Sequence, residues 1–142
     1  MSVEENKALV RRFIEEIWRQ GKLDRLNDFF ATDYADYSFD PRQAVDREGL
    51  REFLAMFRNA FHDLKYDLHD MIAEGDKVVS RDTVRATHKG EFMGIPPTGK
   101  RVEVTAIHIL RIADGKIVEH WGNTDQLGLM QQLSVIPSPG EE

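Results

Sequence analysis

Residues that could carry out acid–base chemistry are concentrated near the end of the chain, between Lys100 and Leu133. Three of them, His108, His120 and Asp125, interrupt stretches of strand-like composition. A strand that buries one face excludes such polar groups unless they are hydrogen-bonded or used. The unperturbed pKa of histidine, about 6.5, suits it to moving protons at neutral pH. We therefore predict that any chemistry of this protein takes place on this segment.

Strand alternation and position in the chain separate the three candidates. His108 shares the predicted pocket face with Ala106, although a core histidine bonded to a backbone carbonyl stays an alternative. His120 has the same parity as Gly122 and is a second candidate base. Asp125 directly precedes a predicted terminal helix, where an aspartate N-cap contributes about 0.5–2 kcal/mol. Capping is therefore the favoured interpretation of Asp125, with catalysis as the alternative.

Other classes of site have little support in the sequence. The histidines at 62, 69, 88, 108 and 120 show neither i, i+4 nor H-E-x-x-H spacing, so no metal site is predicted. The glycine pair at 90 and 94 lacks the following helix and lysine of a phosphate-binding loop. No G-x-S-x-G motif is present for a serine nucleophile.

The composition sets the class of protein and its partners. The chain has 142 residues, a formal net charge of −6 and no cysteine, which predicts one domain without disulfides or thiol chemistry. Its acidic balance argues against nucleic acid and anionic membranes and leaves a small neutral or apolar molecule as ligand. No window approaches the roughly 18 apolar residues of a membrane span. The charged N-terminus and the lack of cysteine predict a cytoplasmic protein.

Helical patterns dominate the first sixty residues. Ser2 and Glu5 form a capping box, and an apolar stripe follows that ends near Trp18, a core residue or a pocket wall. Gly21 is placed to end this helix in the left-handed conformation. A short second helix is predicted over residues 23–30, an edge strand or extended loop over 32–39, and a third helix after Asp46.

After His62 the apolar period changes to two and predicts an antiparallel meander. The predicted strands cover residues 66–73, 77–88, 100–112 and 116–124, and a short helix covers 126–133. Asp114 and Gly115 form the tight turn of the last hairpin. Helices followed by strands predict an α+β domain over residues 1–142, with three N-terminal helices on a strongly curved, mostly antiparallel sheet and a mobile tail at 134–142.

Several segments of this meander match a known family. They are THKGEFMGIPPTGK at 87–100, HILRI at 108–112, DGKI at 114–117, EHW at 119–121, Asp125, and QQL at 131–133. These segments resemble the SnoaL-like polyketide cyclases, also called ester cyclases, of the nuclear transport factor 2-like superfamily. The resemblance implies an α+β cone with a deep pocket, cofactor-free aldol chemistry that closes a polyketide ring, and a homo-oligomer, expected to be a dimer.

The resemblance also assigns roles to residues. His108 matches the family histidine that polarises the substrate, and Gly122 occupies the position of the catalytic aspartate. The candidate catalytic residues are then His108, His120 and Asp125, and the pocket residues implied are Trp18, Tyr34, Asp36, Tyr37, His88, Met93 and Gly122. For Asp36 a solvated loop acid is the favoured interpretation, with a substitute acid/base as the alternative. His88 either lines the pocket or bonds the following turn.

Three functional hypotheses follow for the small-molecule pocket. The first is a cyclase in which another histidine or carboxylate replaces the group absent at Gly122. The second is a non-catalytic small-molecule-binding protein, and the third is a hydrolase or isomerase on the same scaffold. An exposed outer sheet face with Ile107, Ile109 and Trp121 predicts self-association.

Overall fold

A curved five-stranded sheet with helices packed on it forms the protein, which confirms the predicted α+β class. The computed structural model describes residues 2–137 and 139–140. The strands run in the spatial order β1-β5-β4-β3-β2. Their bounds are β1 (Phe30–Asp36), β2 (Phe61–Glu74), β3 (Lys77–His88), β4 (Arg101–Ala113) and β5 (Lys116–Thr124).

The helices begin and end close to the predicted positions. They are α1 (Val3–Phe13), which continues as a π-helical turn (Ile14–Arg19), a 3₁₀ turn (Leu23–Arg25) that leads into α2 (Leu26–Phe29), α3 (Arg47–Ala60) and α4 (Gln126–Gln132). Ser2 and Glu5 form the reciprocal capping box, and Asp46 caps α3 by accepting from the Gly49 N–H at 2.8 Å. Gly21 has the expected positive φ of 70°.

Two element boundaries differ from prediction. Phe30 does not belong to the second helix, because it begins β1 and pairs with Ile117 of β5. Strand β2 begins at Phe61, five residues before the predicted start, directly after α3. The polar pair His62 and Asp63 hides this start, and the positive φ of Asp63 (54°) accompanies a register irregularity there.

Two strand pairings bring the chemically useful residues together. The β4–β5 hairpin turns at Asp114 and Gly115, both at positive φ, and places His108 opposite Gly122. Strand β1 adds to the free edge of β5 in parallel and places Asp36 beside His120. Every other strand pair is antiparallel within the described sheet.

The apolar core lies between the inner sheet face and the helices. Its fully buried side chains include Val10, Ile17, Phe29, Phe61 and Ile117. On β4 the alternation is as predicted, since Val104 and Leu110 are buried while Ile107 is 51% exposed. The inner face of the sheet therefore supplies a low-dielectric surround for the polar residues it also carries.

The C-terminal segment folds back on α4 in its described part. The N–H groups of Ser134 and Val135 donate to the carbonyls of Gln131 and Met130. The predicted mobile tail also includes Ser138, Glu141 and Glu142, which lie outside the described residues. No helix in the described part of the chain is long and apolar enough to cross a membrane.

Candidate active site

Six side chains on the inner sheet face form one continuous series of polar contacts, which we call the acid–base string. The string joins residues from all five strands, and their side chains are buried or partly buried. In order along the string they are Tyr34, Asp36, His120, His108, Asp82 and Tyr66.

The central contact of the string joins two imidazole rings. His108 Nδ1 and His120 Nε2 lie 2.8 Å apart, and the ring centroids are 4.9 Å apart. The side chain of His108 is 20% exposed and that of His120 is 15% exposed. The pair is therefore largely shielded from bulk water, while each ring keeps some exposed surface.

The two halves of the string have the same composition. In one half, Asp36 Oδ2 accepts from the Tyr34 hydroxyl at 2.6 Å and lies 3.0 Å from His120 Nδ1. In the other half, Asp82 Oδ2 accepts from the Tyr66 hydroxyl at 2.5 Å and lies 3.4 Å from His108 Nε2. Each histidine thus has a buried carboxylate on its outer nitrogen, and each carboxylate is held by a tyrosine.

Gly122 makes room for the pair of rings. A Cβ atom at this position would lie 2.8 Å from His108 Nδ1, 3.2 Å from His120 Nε2 and 3.1 Å from the Ile107 carbonyl oxygen. All three distances are shorter than ordinary van der Waals contact. The absence of a side chain at Gly122 is therefore what allows His108 and His120 to form a direct hydrogen bond.

The electrostatics of the first half favour an ionised Asp36. Burial raises the pKa of the Asp36 carboxyl, but the hydrogen bond and charge of His120 and the hydrogen bonds from Ser38 and Tyr34 outweigh it, so the pKa lies below its usual value. Ser38 contributes both its N–H, at 2.9 Å, and its hydroxyl, at 2.5 Å, to Asp36 Oδ1. A solvated loop acid, the interpretation favoured by the sequence, is wrong for Asp36, because it is 0% exposed and bonded within the sheet.

Both tyrosines stay protonated and donate to their carboxylates. Burial raises the pKa of the Tyr34 hydroxyl well above its usual value, and the charge and hydrogen bond of Asp36 add to this. Burial likewise raises the pKa of Tyr66, with the charge and hydrogen bond of Asp82 in support and Arg19 acting in the opposite sense. The tyrosines therefore fix the carboxylates in place without supplying protons themselves.

The partners of each nitrogen assign the protons when the histidine pair is neutral. The ionised Asp36 accepts from His120 Nδ1–H, so His120 Nε2 carries a lone pair. That lone pair accepts from His108 Nδ1–H, which leaves the lone pair of His108 on Nε2. The string therefore presents a basic nitrogen, His108 Nε2, beside Asp82.

Two predicted pocket residues, Trp18 and His88, are not members of the string. Trp18 contacts Tyr66, with ring centroids 5.6 Å apart, and Phe57 at 5.8 Å. His88 is 0% exposed, stacks on Phe61 and accepts from the Thr98 N–H through Nδ1 at 3.2 Å. Its Nε2 is buried and has no hydrogen-bond partner among the described residues. His88 thus bonds the turn that follows it, which was one of the two predicted alternatives.

Three other predicted residues lie elsewhere. Tyr37 stacks on Trp121 at a centroid distance of 6.0 Å, on the side of β5 opposite to His120. Met93 is 70% exposed at a turn and has a positive φ of 48°. Asp125 caps α4 by accepting from the Gly128 N–H at 2.9 Å, as the favoured interpretation held. Asp125 also lines a depression of about 500 Å³ together with Ile107 and with Asp82 of the string, but neither histidine of the string lines it.

Sequence reasoning did not identify Asp82, Tyr66 and Ser38. A signal for Asp82 exists, because it shares parity with Val78, Val84 and Ala86, all buried on β3. A carboxylate next to buried apolar residues is unusual, since burying an unpaired charge is costly. Its partner could not be read from the chain, because the pairing of β3 with β4 is set by tertiary structure.

Among the described residues, no group of three or more histidine, cysteine, aspartate or glutamate side chains is arranged to hold a metal ion. The string is linear apart from the Tyr34 hydroxyl, which also lies 3.4 Å from His120 Nδ1. The arrangement suits proton movement along hydrogen bonds.

Comparison with known proteins identifies the family to which the chain belongs. A family model described as SnoaL-like polyketide cyclase matches residues 8–133. Aklanonic acid methyl ester cyclase DauD from Streptomyces sp. (strain C5) is 32% identical over 133 residues, covering 88% of this chain and 79% of DauD. The corresponding cyclase DnrD from Streptomyces peucetius is 30% identical over 129 residues, 88% of each chain. The crystal structure of AclR from Streptomyces galilaeus has a TM-score of 0.87 at 35% identity, covering 96% of this chain and 85% of AclR.

The curved α+β sheet with acid–base groups on its inner face defines a protein of the nuclear transport factor 2-like fold. Within that fold, the chain belongs to the SnoaL-like polyketide cyclase family. The family and fold expected from the motifs at 87–133 are therefore confirmed.

The substitution Gly122→Ala should break the central hydrogen bond of the string. The added methyl group occupies space within 2.8 Å of His108 Nδ1 and forces the rings apart. We expect the ¹⁵N signals of both rings to change in imidazole NMR spectra, with a loss of stability of about 1–3 kcal/mol. Asn123→Ala, on the exposed side of the same strand, is the control and should leave both rings unchanged. Wild-type ring signals in Gly122→Ala would contradict this account.

Asp36→Asn should alter the dependence of stability on acid. Because the folded-state pKa of Asp36 is lowered, its contribution is present above the unfolded-state value of about 4 and is lost as the pH falls further. The stability advantage of wild type over Asp36→Asn should therefore shrink between pH 4 and pH 2.5 in urea denaturation. The exposed Asp24→Asn serves as control and should track wild type. A constant difference over that range would refute the pairing.

Proposed function

We propose that this protein catalyses a cofactor-free, intramolecular aldol-type ring closure on an apolar, carbonyl-bearing polyketide ester. The observation that carries the proposal is the acid–base string, which leaves His108 Nε2 as a base on a shielded inner face. The anchoring of His120 by Asp36 at 3.0 Å supports it, because it orients the ring that in turn orients His108. Membership of the polyketide cyclase family supports the choice of substrate.

The proposed reaction is a pair of proton transfers around one carbon–carbon bond. His108 Nε2 takes a proton from the carbon next to a substrate carbonyl, and the electron pair of the broken C–H bond forms the enolate. The enolate carbon attacks a second carbonyl of the same molecule, which closes the ring and leaves an alkoxide. The protonated His108 returns the proton to that alkoxide. The product is an isomer of the substrate, so the reaction consumes no oxidant, reductant or water.

In this proposal the acid/base is His108, whose ring is oriented by His120. Position 122 is a glycine, and the space above it is taken by the contact between His108 and His120. General acid–base catalysis by a positioned side chain typically contributes about 10²- to 10⁴-fold, and an imidazole has the proton affinity to act in both directions near neutral pH.

A second candidate function has a specific observation in its favour. AclR, which shares 35% identity and a TM-score of 0.87 with this chain, has been proposed to be a hydroxylase. Hydroxylation would add an oxygen atom, whereas ring closure leaves the mass unchanged. A non-catalytic binding protein, the other alternative from the sequence, would leave the ligand unaltered. Product mass therefore distinguishes the three.

Turnover of aklanonic acid methyl ester, the substrate named for DauD and DnrD, tests the proposal. Chromatography with mass detection should show a product of unchanged mass, formed faster than in buffer. His108→Ala should reduce the rate about 10²- to 10⁴-fold. The control His62→Ala replaces an exposed histidine that bonds the Asn59 carbonyl and should keep the wild-type rate. Bound but unaltered ester would favour a binding protein, and a product heavier by one oxygen would favour a hydroxylase.

We also propose that two copies associate through the outer sheet face. Ile107 and Ile109 are 51% and 36% exposed there, near the stacked pair of Tyr37 and Trp121. Covering such apolar area stabilises an isologous dimer. The acidic, cysteine-free composition fits a cytoplasmic location, which we propose for the protein on that basis.

Light scattering after size-exclusion chromatography tests the dimer. We expect a particle of twice the chain mass at micromolar concentration, and Ile107→Asp together with Ile109→Asp should convert it to a monomer because charge would be buried in the interface. The control Met93→Asp changes a 70% exposed residue of the turn between β3 and β4 and should leave the mass unchanged. A wild-type protein that elutes as a monomer would refute the association.

A further inference from the structure

Asp82 is a carboxylate placed where the rest of its strand face is mainly apolar. It is 2% exposed, and on the same face of β3 lie Val78, Val84 and Ala86, which are also buried. Burying a carboxylate costs several kcal/mol unless other groups stabilise the charge. Its polar contacts in the described structure are the Tyr66 hydroxyl at 2.5 Å and His108 Nε2 at 3.4 Å. One partner of this buried charge is thus the nitrogen that the proposed reaction uses.

The two carboxylates of the string have different surroundings. Asp36 accepts from Tyr34, from the N–H and the hydroxyl of Ser38, and from His120. Four donors hold it as a fixed anion at the closed end of the string. The 3.4 Å between Asp82 and His108 Nε2 is longer than a good N–H···O hydrogen bond of about 2.9 Å. This contact can shorten when Nε2 acquires a proton and becomes a charged donor.

The side chain of Tyr66, which donates to Asp82, is itself held in place by its neighbours. The Tyr66 ring packs against Trp18, and the Arg19 guanidinium lies 6.0 Å from its centroid. Arg19 also donates to the Tyr66 carbonyl oxygen through two nitrogens, at 3.0 and 3.3 Å. The tyrosine hydroxyl and the carboxylate that it holds are therefore positioned by the π-helical turn that follows α1.

We propose that Asp82, held by Tyr66, is the positioning residue that stabilises the protonated form of His108. The proposal rests on the proposed function. When His108 Nε2 takes the substrate proton, the new N–H⁺ faces the Asp82 carboxylate, and the charge created on the ring is compensated without a second proton transfer. Asp82 itself gains no proton in this proposal, since the proton stays on Nε2. The proton then leaves from Nε2 to the alkoxide, and the string returns to its starting state.

Asp82→Asn isolates this role because it keeps the shape and removes the charge. An amide N–H in that place would donate to the lone pair on Nε2 and make the nitrogen a poorer base. At pH 6, the ¹⁵N signal of His108 Nε2 in the free protein should lie nearer to that of a non-protonated ring nitrogen than in wild type. With aklanonic acid methyl ester, kcat should fall by about 10-fold or more with KM within a factor of three, because the loss is in proton transfer.

Two further variants make the test specific. Tyr66→Phe removes only the hydroxyl and should move the same His108 signal in the free protein by a smaller amount. Asp70→Asn, an exposed aspartate of β2 paired with Arg81, is the control and should keep the wild-type signal and rate. The double variant Asp82→Asn with His108→Ala should be no slower than His108→Ala alone, because residues that act as a unit are not additive.

The outcomes separate this inference from the function on which it rests. If wild type does not convert the ester, the proposed function is wrong, while the NMR signal of His108 still decides whether Asp82 acts on that nitrogen. If Asp82→Asn leaves both the signal and the rate unchanged, the inference is wrong whatever the reaction. Should Asp82→Asn fail to fold, Asp82→Glu, which keeps the charge, and Tyr66→Phe decide the case by the same two readouts.

Discussion

The hydrogen bond between His108 and His120 joins two arrangements that would otherwise be separate. Each side of it is a histidine on a buried carboxylate that a tyrosine holds. The bond exists because the strand position opposite His108 is a glycine, so one ring can lie across the space of the absent side chain. The string in turn depends on all five strands, since each of them supplies at least one of its six residues.

Burial strengthens the polar contacts of the string and raises the free-energy cost of leaving any of its groups without a partner. Polar groups in a low-dielectric interior interact more strongly than in water, and each one left without a partner is expensive. The string meets that requirement by making every member a partner of the next. Its surround is supplied by the aromatic and aliphatic core under the helices, in which Trp18 packs against both Tyr66 and Phe57. Because the surround has a low dielectric constant, a change of charge on one residue of the string strongly affects the others.

Local patterns in the sequence predicted most of the fold and half of the string. Alternation placed His108 and His120 on the inner face, and the capping box, the left-handed Gly21 and the Asp-Gly turn were found where predicted. Asp36 was misjudged because nothing local indicates that β1 joins β5 in parallel and buries its last residue. Asp82 was overlooked because its partner lies on another strand, and register between strands is a tertiary property.

The parallel pairing of β1 with β5 also has a consequence for how the protein folds. Strands β2 to β5 form a meander in which each strand pairs with the next along the chain, so those pairings close short loops. The contact between Asp36 and His120 closes a loop of 84 residues, and closing a loop costs chain entropy that grows with its length. A molecule can thus complete most of its sheet while His120 still lacks its carboxylate partner, Asp36. The state of the His120 ring reports whether the whole chain, and not only its meander, has reached the native topology.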